Sequence, residues 1–210
     1  MPNKPAKKLN ANSAFSYACT RCSACCVNKK IQVNPYEIAR LAASCKTGFA
    51  AFRAEHTIDG VFLKQKSDGS CVFLGAGGCE VHADRPLVCR IFPLGRHITE
   101  NGKVYYSNPV WNPMPNGKYG KRGVVQDYIE DQGVVEFASF ADAYFKWYCK
   151  ARDYADGLDE NGELFEYDDL LNIDAVIGRY GNINSFDQSQ NVAERATLHL
   201  EILNNLLKEV

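Results

Sequence analysis

Four cysteines fall within eight residues, Cys19-Thr-Arg-Cys22-Ser-Ala-Cys25-Cys26, and three more follow at Cys71, Cys79 and Cys89. Thiolate sulfur is a soft ligand that suits zinc and iron–sulfur clusters. A Cys-x-x-Cys turn brings two sulfurs within reach of one metal while backbone N–H groups point back at them. Cys19 with Cys22 fits that pattern, and Cys22 with Cys25 repeats it. The adjacent side chains of Cys25 and Cys26 are expected to diverge, so that one joins the first metal and the other faces a second ligand set or none. Downstream, Gly75-Ala-Gly-Gly78 permits positive φ and a sharp reversal, which lets Cys79 fold back toward Cys71. Pro86 and Pro93 restrict the backbone on either side of Cys89 and fix the direction of its sulfur.

The competing use of clustered cysteines is a disulfide framework. The first eighteen residues carry charge but no apolar stretch of signal-peptide length, and no later run approaches a membrane span. That places the chain in the cytoplasm, away from any membrane. Thiols stay reduced there, and clustered cysteines are metal ligands or catalytic groups rather than bridges. The odd total of nine cysteines also leaves at least one thiol unpaired.

Charge is distributed unevenly. Residues 1–123 hold 18 Lys and Arg against 7 Asp and Glu, a net +11, while residues 124–210 hold 6 against 18, a net −12. Four thiolates around a divalent ion or a +2 cluster core leave −2 to be neutralised. Arg21, Lys29, Lys30, Arg85, Arg90 and Arg96 lie close to the cysteines and supply that compensation; the remaining positive charge is expected to dock the acidic C-terminal half. The basic residues are scattered rather than interleaved with an aromatic platform, which disfavours nucleic acid as a partner and leaves a protein partner open.

The elements that must position these side chains are legible in outline. Asn34 as N-cap, Pro35 at the first helical position and an Ile38, Leu41, Ala42 stripe predict a helix over 35–44. A second helical stretch is expected over 47–56 after a break at Gly48. Val61-Phe-Leu-Lys and Cys71-Val-Phe-Leu flank the turn Ser67-Asp-Gly-Ser70, predicting a hairpin with Cys71 on its second strand. Another hairpin is expected across Glu100-Asn-Gly102, returning at Val104-Tyr-Tyr. From Val124, three amphipathic stripes predict three helices: the first Phe137, Ala138, Phe140, Ala141, Tyr144, Phe145, Tyr148 and Cys149; the second from Leu170 to Tyr180; the third Val192 to Val210. Cys45 and Cys149 sit among apolar neighbours and read as buried core thiols. The Pro-rich loop around Trp111 is expected to cover the metal region or link the halves. The fold class is therefore α+β, with a loop-rich cysteine domain over 15–97, a hairpin and Pro-rich linker over 98–123, and an acidic helical region over 124–210 packed on it.

The ordered combination Cys-x-x-Cys-x-x-Cys-Cys, a following helix at Pro35-Tyr-Glu-Ile-Ala-Arg-Leu, then Cys71, Cys79 and Arg85-Pro-Leu-Val-Cys-Arg90-Ile-Phe-Pro93 resembles the CxxCxxCC cysteine-cluster family. Family members are described as zinc- or iron-chelating domains, and the pattern also occurs within flagellin lysine-N-methylases. The resemblance spans about residues 15–97. It implies that Cys19, Cys22, Cys25, Cys26, Cys71, Cys79 and Cys89 form the metal site. The family usually carries Gly directly after its second cysteine; this chain has Ser23, which bears on the turn conformation and not on ligation.

Two Cys-x-x-Cys steps in succession with a distant fourth ligand lean toward a [4Fe–4S] cluster over zinc, because such clusters draw three ligands from one tight loop. Seven cysteines also allow one metal with a smaller second site, or two zinc ions sharing a thiolate. Arg85 and Arg90 stand where guanidinium groups either donate to thiolates and tune a cluster or anchor loop carbonyls. His82, three positions after Cys79, is assigned to packing or hydrogen bonding; His56, His97 and His199 are isolated. The leading expectation is a metal-binding protein. Behind it stand a protein-modifying, methyltransferase-like or redox enzyme using the cluster, and a metal-stabilised interaction module. No Gly-rich nucleotide loop or Ser/His/Asp arrangement specifies catalysis.

Overall fold

A computed structural model describes residues 7–99, 101–110, 114–120, 122–155, 170–181 and 191–208. Trp111, Glu100 and Val210 from the sequence reading lie outside the described residues. The described residues form seven α-helices and several small antiparallel sheets, a mixed α+β fold. They divide into two compact units: Met1–Gln32 with Leu63–Glu136, and Val33–Phe62 with Phe137–Val210.

In the first unit, β1 (Lys8–Leu9), β8 (Val104–Ser107) and β7 (Gly95–Ile98) make a three-stranded sheet in the order β1-β8-β7. The β7–β8 hairpin pairs Ile98 with Val104 and Gly95 with Ser107, as the sequence predicts. A second ribbon joins β2 (Tyr17–Ala18) to β9 (Lys118–Tyr119), and a third joins β5 (Leu74–Gly75) to β6 (Gly78–Cys79). Helices α3 (Leu87–Arg90) and α4 (Val125–Asp131) complete the unit. Its core is aromatic: Tyr128 packs edge-on against Phe15 with ring centroids 5.0 Å apart, and Tyr17 against Tyr119 at 5.0 Å. Offset and edge-on ring pairs of this kind contribute beyond the area they bury.

The hairpin expected over 61–74 is reduced. Its turn forms, with the Gly69 N–H donating to Lys66 O, but pairing stops at one bridge, Gln65 with Cys71. The reason is that the Leu74 N–H closes a turn onto Cys71 O; the Cys71 N–H, on the outer side of the bridge, donates to Cys26 O at 2.7 Å. Phe62–Leu63 (β4) pairs instead with Thr57–Ile58 (β3).

The second unit is helical. In α1 (Pro35–Ser44) the Asn34 side chain accepts the Glu37 N–H and the Glu37 carboxylate accepts the Asn34 N–H, a complete capping box. Helix α2 (Phe49–His56) follows Gly48 as expected. Helices α5 (Val134–Ala155), most of which belongs to this unit, α6 (Ile173–Tyr180) and α7 (Val192–Leu206) stand where the three stripes predict helices, though α7 buries Ala196, His199, Ile202 and Leu203 rather than the expected Val192, Leu200 and Leu206. The buried face of α5 is narrower than the pattern suggested. Phe137, Tyr144, Trp147 and Ala151 are buried, while Phe145 and Tyr148 are more than half exposed. Tyr36 of α1 stacks on Phe140 at 4.1 Å and meets Phe137 edge-on. Cys45 and Cys149 are only partly buried, not core thiols: Cys45 caps the end of α1 and Cys149 sits beside the exposed Tyr148 on the rim of α5.

Candidate metal centre

The first cysteine run is shaped by two residues in the left-handed region. Arg21 has φ +55° and Ser23 has φ +62°, one inside each Cys-x-x-Cys step. Left-handed backbone turns the chain back on itself within two residues, which aims the following N–H groups at the preceding sulfur. The Arg21 N–H, upstream of that dihedral, donates to Cys19 Sγ at 3.3 Å. Ser23 leads into a 3₁₀ turn over Ala24–Cys26 that buries Ala24 and carries Cys25 and Cys26. The sulfurs of that adjacent pair do not diverge as expected; they lie 3.7 Å apart and line the same cavity.

Two separate stretches of chain hold this run. Upstream, β2 is paired to β9 and the Asn116 N–H donates to Cys22 Sγ at 3.3 Å. Downstream, Cys26 O accepts the Cys71 N–H, Val27 bridges Ser70, and the Asn28 N–H donates to Gly69 O at 2.9 Å.

The later cysteines repeat one backbone device. Phe73 donates its N–H to the Cys71 sulfur and Val81 to the Cys79 sulfur, the same spacing of two as Arg21 on Cys19. The Gly75–Gly78 reversal forms, with Gly78 at φ +100° and Leu74 paired to Cys79, so Cys79 folds back as the sequence implies. Cys89 is carried on α3, whose N-terminal neighbour is Pro86.

All seven cysteines, Cys19, Cys22, Cys25, Cys26, Cys71, Cys79 and Cys89, line a single cavity of about 340 Å³ within the first unit. Tyr17, Tyr128 and His82 share its wall, as do the cationic side chains of Arg21, Arg85 and Arg90. Arg85 donates to His82 O at 2.6 Å and to Gln132 Oε1 at 2.8 Å; the buried Arg90 donates to Ala83 O and, at 3.1 Å, to Gln132 O. Both guanidinium groups thus anchor carbonyls while bringing positive charge to the cysteine cavity. Among the described residues, no three His, Cys, Asp or Glu side chains are arranged to hold a single metal ion.

The electrostatics show what metal would have to displace. The hydrogen bond from the Cys26 thiol draws Cys25 down to about 7, against the effect of burial and with help from Arg85 and Lys29. Cys26 is pushed up by that same bond, by burial and by neighbouring cysteines. Burial raises Cys71 and Cys79. Most of this set is therefore protonated in the absence of metal, and ligation releases protons. Burial lowers His82, which leaves its ring neutral near pH 7. The donor set fits a thiophilic metal group: soft sulfurs, N–H donors aimed at them, and cations along the wall.

Residues 18–109 match the family model CxxCxxCC, described as "Putative zinc- or iron-chelating domain". Over this segment the chain is similar to the CxxCxxCC family. The segment contains all seven cavity cysteines and is less than half of the chain. No curated protein and no solved structure matches the chain. Several parts of the cavity lie beyond the CxxCxxCC segment: Asn116, Tyr128 and Gln132 reach it from 114–132. Sequence reasoning missed them because Asn116 acts through its backbone, and Gln132 meets Arg85 across a sequence separation of 47. Tyr17, two residues before Cys19, was also missed; its phenol is pushed up to about 12, first by burial and then by Cys22 and Cys19.

Proposed function

We propose that this protein holds a [4Fe–4S] cluster in the cysteine cavity, working in the reducing setting of the cytoplasm. The observation that carries this reading is the cavity itself: seven sulfurs around about 340 Å³. In a closed zinc site four thiolates stand about 2.3 Å from the ion, so nothing remains at the centre. A space equal to about ten waters' share of liquid volume suits a polynuclear core better than a lone ion.

The charge suits a thiolate-bound metal group of either kind. Four thiolates on a +2 core leave −2, and Arg21, Arg85 and Arg90 stand on the wall to offset it. A bound cluster supplies one-electron chemistry or structural ligation, and its potential depends on hydrogen bonds to the sulfurs. Those bonds are in place here from Arg21, Phe73, Val81 and Asn116. Buried Ile31, Leu63, Phe73 and Val81 form an apolar part of the wall that limits water.

Anaerobically purified protein is expected to be brown, to contain iron and sulfide in equal amounts, and to bleach on reduction. Colourless protein carrying stoichiometric zinc under the same conditions overturns the proposal.

A further inference from the structure

Two stretches of the first unit, residues 1–32 and 101–126, carry ten Lys and Arg and no Asp or Glu. The fold lays them side by side. β1 pairs with β8, the Gln126 N–H donates to Ala11 O at 2.9 Å, the Phe15 N–H to Gly123 O at 3.1 Å, and the Gly120 N–H to Ser16 O at 3.0 Å. β2 then meets β9, with Ala18 opposite Lys118, and the Asn116 N–H donates to Cys22 Sγ. A basic strip without carboxylates thus reaches the cysteine cavity.

At that end the strip is open to solvent. Ala18, Cys19, Thr20 and Arg21 are exposed in succession, and Lys118, Tyr119, Gly120 and Arg122 are exposed on the returning stretch. Cys19 and Arg21 also line the cavity, so the cavity meets solvent here. Arg85 and Arg90 give N–H groups to carbonyls. By contrast, the side chains of Arg21, Lys118 and Arg122 have no hydrogen bond or ion pair among the described residues. Tyr119 is 46% exposed, and its ring meets that of Tyr17 on the cavity wall edge-on at 5.0 Å. One aromatic pair therefore stands between the surface and the cavity. Tyr and Arg are common anchors of protein interfaces, and a field of one sign steers a partner of the opposite sign.

We propose that the solvent side of the cavity, formed by Cys19, Arg21, Lys118, Tyr119 and Arg122, docks an acidic one-electron carrier protein. This rests on the reading that the cavity holds a [4Fe–4S] cluster. In the docked pair one electron passes between carrier and cluster; the group that gives it is oxidised, the other is reduced, and no covalent bond forms or breaks. Nucleic acid fits less well, because a single-strand site stacks successive bases on several rings. Among the described residues of the strip, Tyr119 is the one exposed aromatic.

The test uses flavodoxin, an acidic flavin carrier, as the probe. Electron exchange with the cluster-loaded protein is followed anaerobically by stopped flow, in whichever direction runs downhill, beside the affinity of the two oxidised proteins. Wild type is expected to bind flavodoxin, and its second-order rate constant to fall about tenfold or more from low to physiological salt. Lys118→Glu/Arg122→Glu alters the strip outside the cavity lining and is expected to slow exchange about tenfold or more at low salt, with iron, sulfide and visible spectrum unchanged. Lys146→Glu/Lys150→Glu makes the same change of net charge on exposed positions of the second unit and is expected to leave the rate constant unchanged. Equal slowing by both pairs, wild-type rates that ignore salt, or salt-sensitive binding of an oligothymidylate in place of flavodoxin overturns the docking surface. If the first pair does not fold, Lys118→Glu alone is expected to slow exchange about threefold; an unchanged rate overturns the surface. Protein with no iron or sulfide defeats the cluster reading instead. Docking is then read from affinity, and equal binding of flavodoxin by wild type and Lys118→Glu overturns it.

Discussion

Ser23 shows how one residue sets the shape of the cysteine run. Its φ of +62° is a conformation that glycine adopts freely and that costs other residues about 1 kcal/mol or more. Replacement by glycine removes that strain but adds freedom to the unfolded chain, a loss of about 0.4–1 kcal/mol, so Ser23→Gly is expected to leave the urea midpoint nearly unchanged. Ser23→Val puts a β-branched side chain into the left-handed region and is expected to lower stability by about 1–2 kcal/mol and to weaken metal retention. Equal midpoints for the two variants would show that the turn does not depend on this conformation. At Gly117 the constraint is space: an added Cβ would meet the Tyr17 ring. Gly117→Ala is therefore expected to displace Tyr17 from the cavity wall and cost about 1–3 kcal/mol by denaturant unfolding. At this scale the cysteines were legible because their chemistry is in their side chains. The Asn116 contribution was not, since any residue but proline has an N–H, and its partner Cys22 lies 94 positions away.

Among the elements, α5 and α7 hold a buried polar chain that hydrophobic periodicity does not reveal. Leu170 O can only accept, so His199 Nε2 carries the proton and donates to it at 2.9 Å, while Nδ1 accepts the Tyr144 O–H at 2.9 Å. His199 is fully buried, and desolvation lowers it from 6.5 to about 4. As pH falls through 6.5 the unfolded chain takes up a proton that native His199 refuses until about pH 4. The associated stability is therefore complete above pH 6.5 and is lost on the way down to about 4, a change on the order of 3 kcal/mol. Thermal unfolding followed from pH 7 to 4 is expected to show this slope, and His199→Gln to flatten it; identical slopes would remove His199 as the cause. The capped start of α1 was readable from Asn34 and Pro35 because capping is local. The α5 face was misread because Phe145 and Tyr148 are apolar by type yet outward by angle, and the buried Trp147, whose Nε1 donates to Leu203 O, did not enter the stripe.

The whole chain combines two units of different character. By sequence, the first has 15 Lys and Arg against 8 Asp and Glu, a net +7, and the second 9 against 17, a net −8, so the charge asymmetry of the halves follows the units in reduced form. That division was not legible, because residues 33–62 leave the cysteine segment to join helices that begin 75 residues later, at Phe137. The second unit buries Tyr36, Phe52, Phe137 and Leu203 almost completely and needs no metal for its core. The first is built of strands of two to four residues, short helices and loops around the cavity, and metal binding adds directly to its folding free energy. Anaerobic chelation should then act on one unit alone. In a Trp111→Phe background Trp147 reports the second unit, since the chain has two tryptophans. Removing the metal is expected to abolish the visible absorption and loosen the tyrosine-rich first unit in near-UV dichroism, while Trp147 emission and most far-UV helical signal persist. A single concerted loss of all four signals would mean that the helical unit also depends on the metal, against the independence its buried core implies.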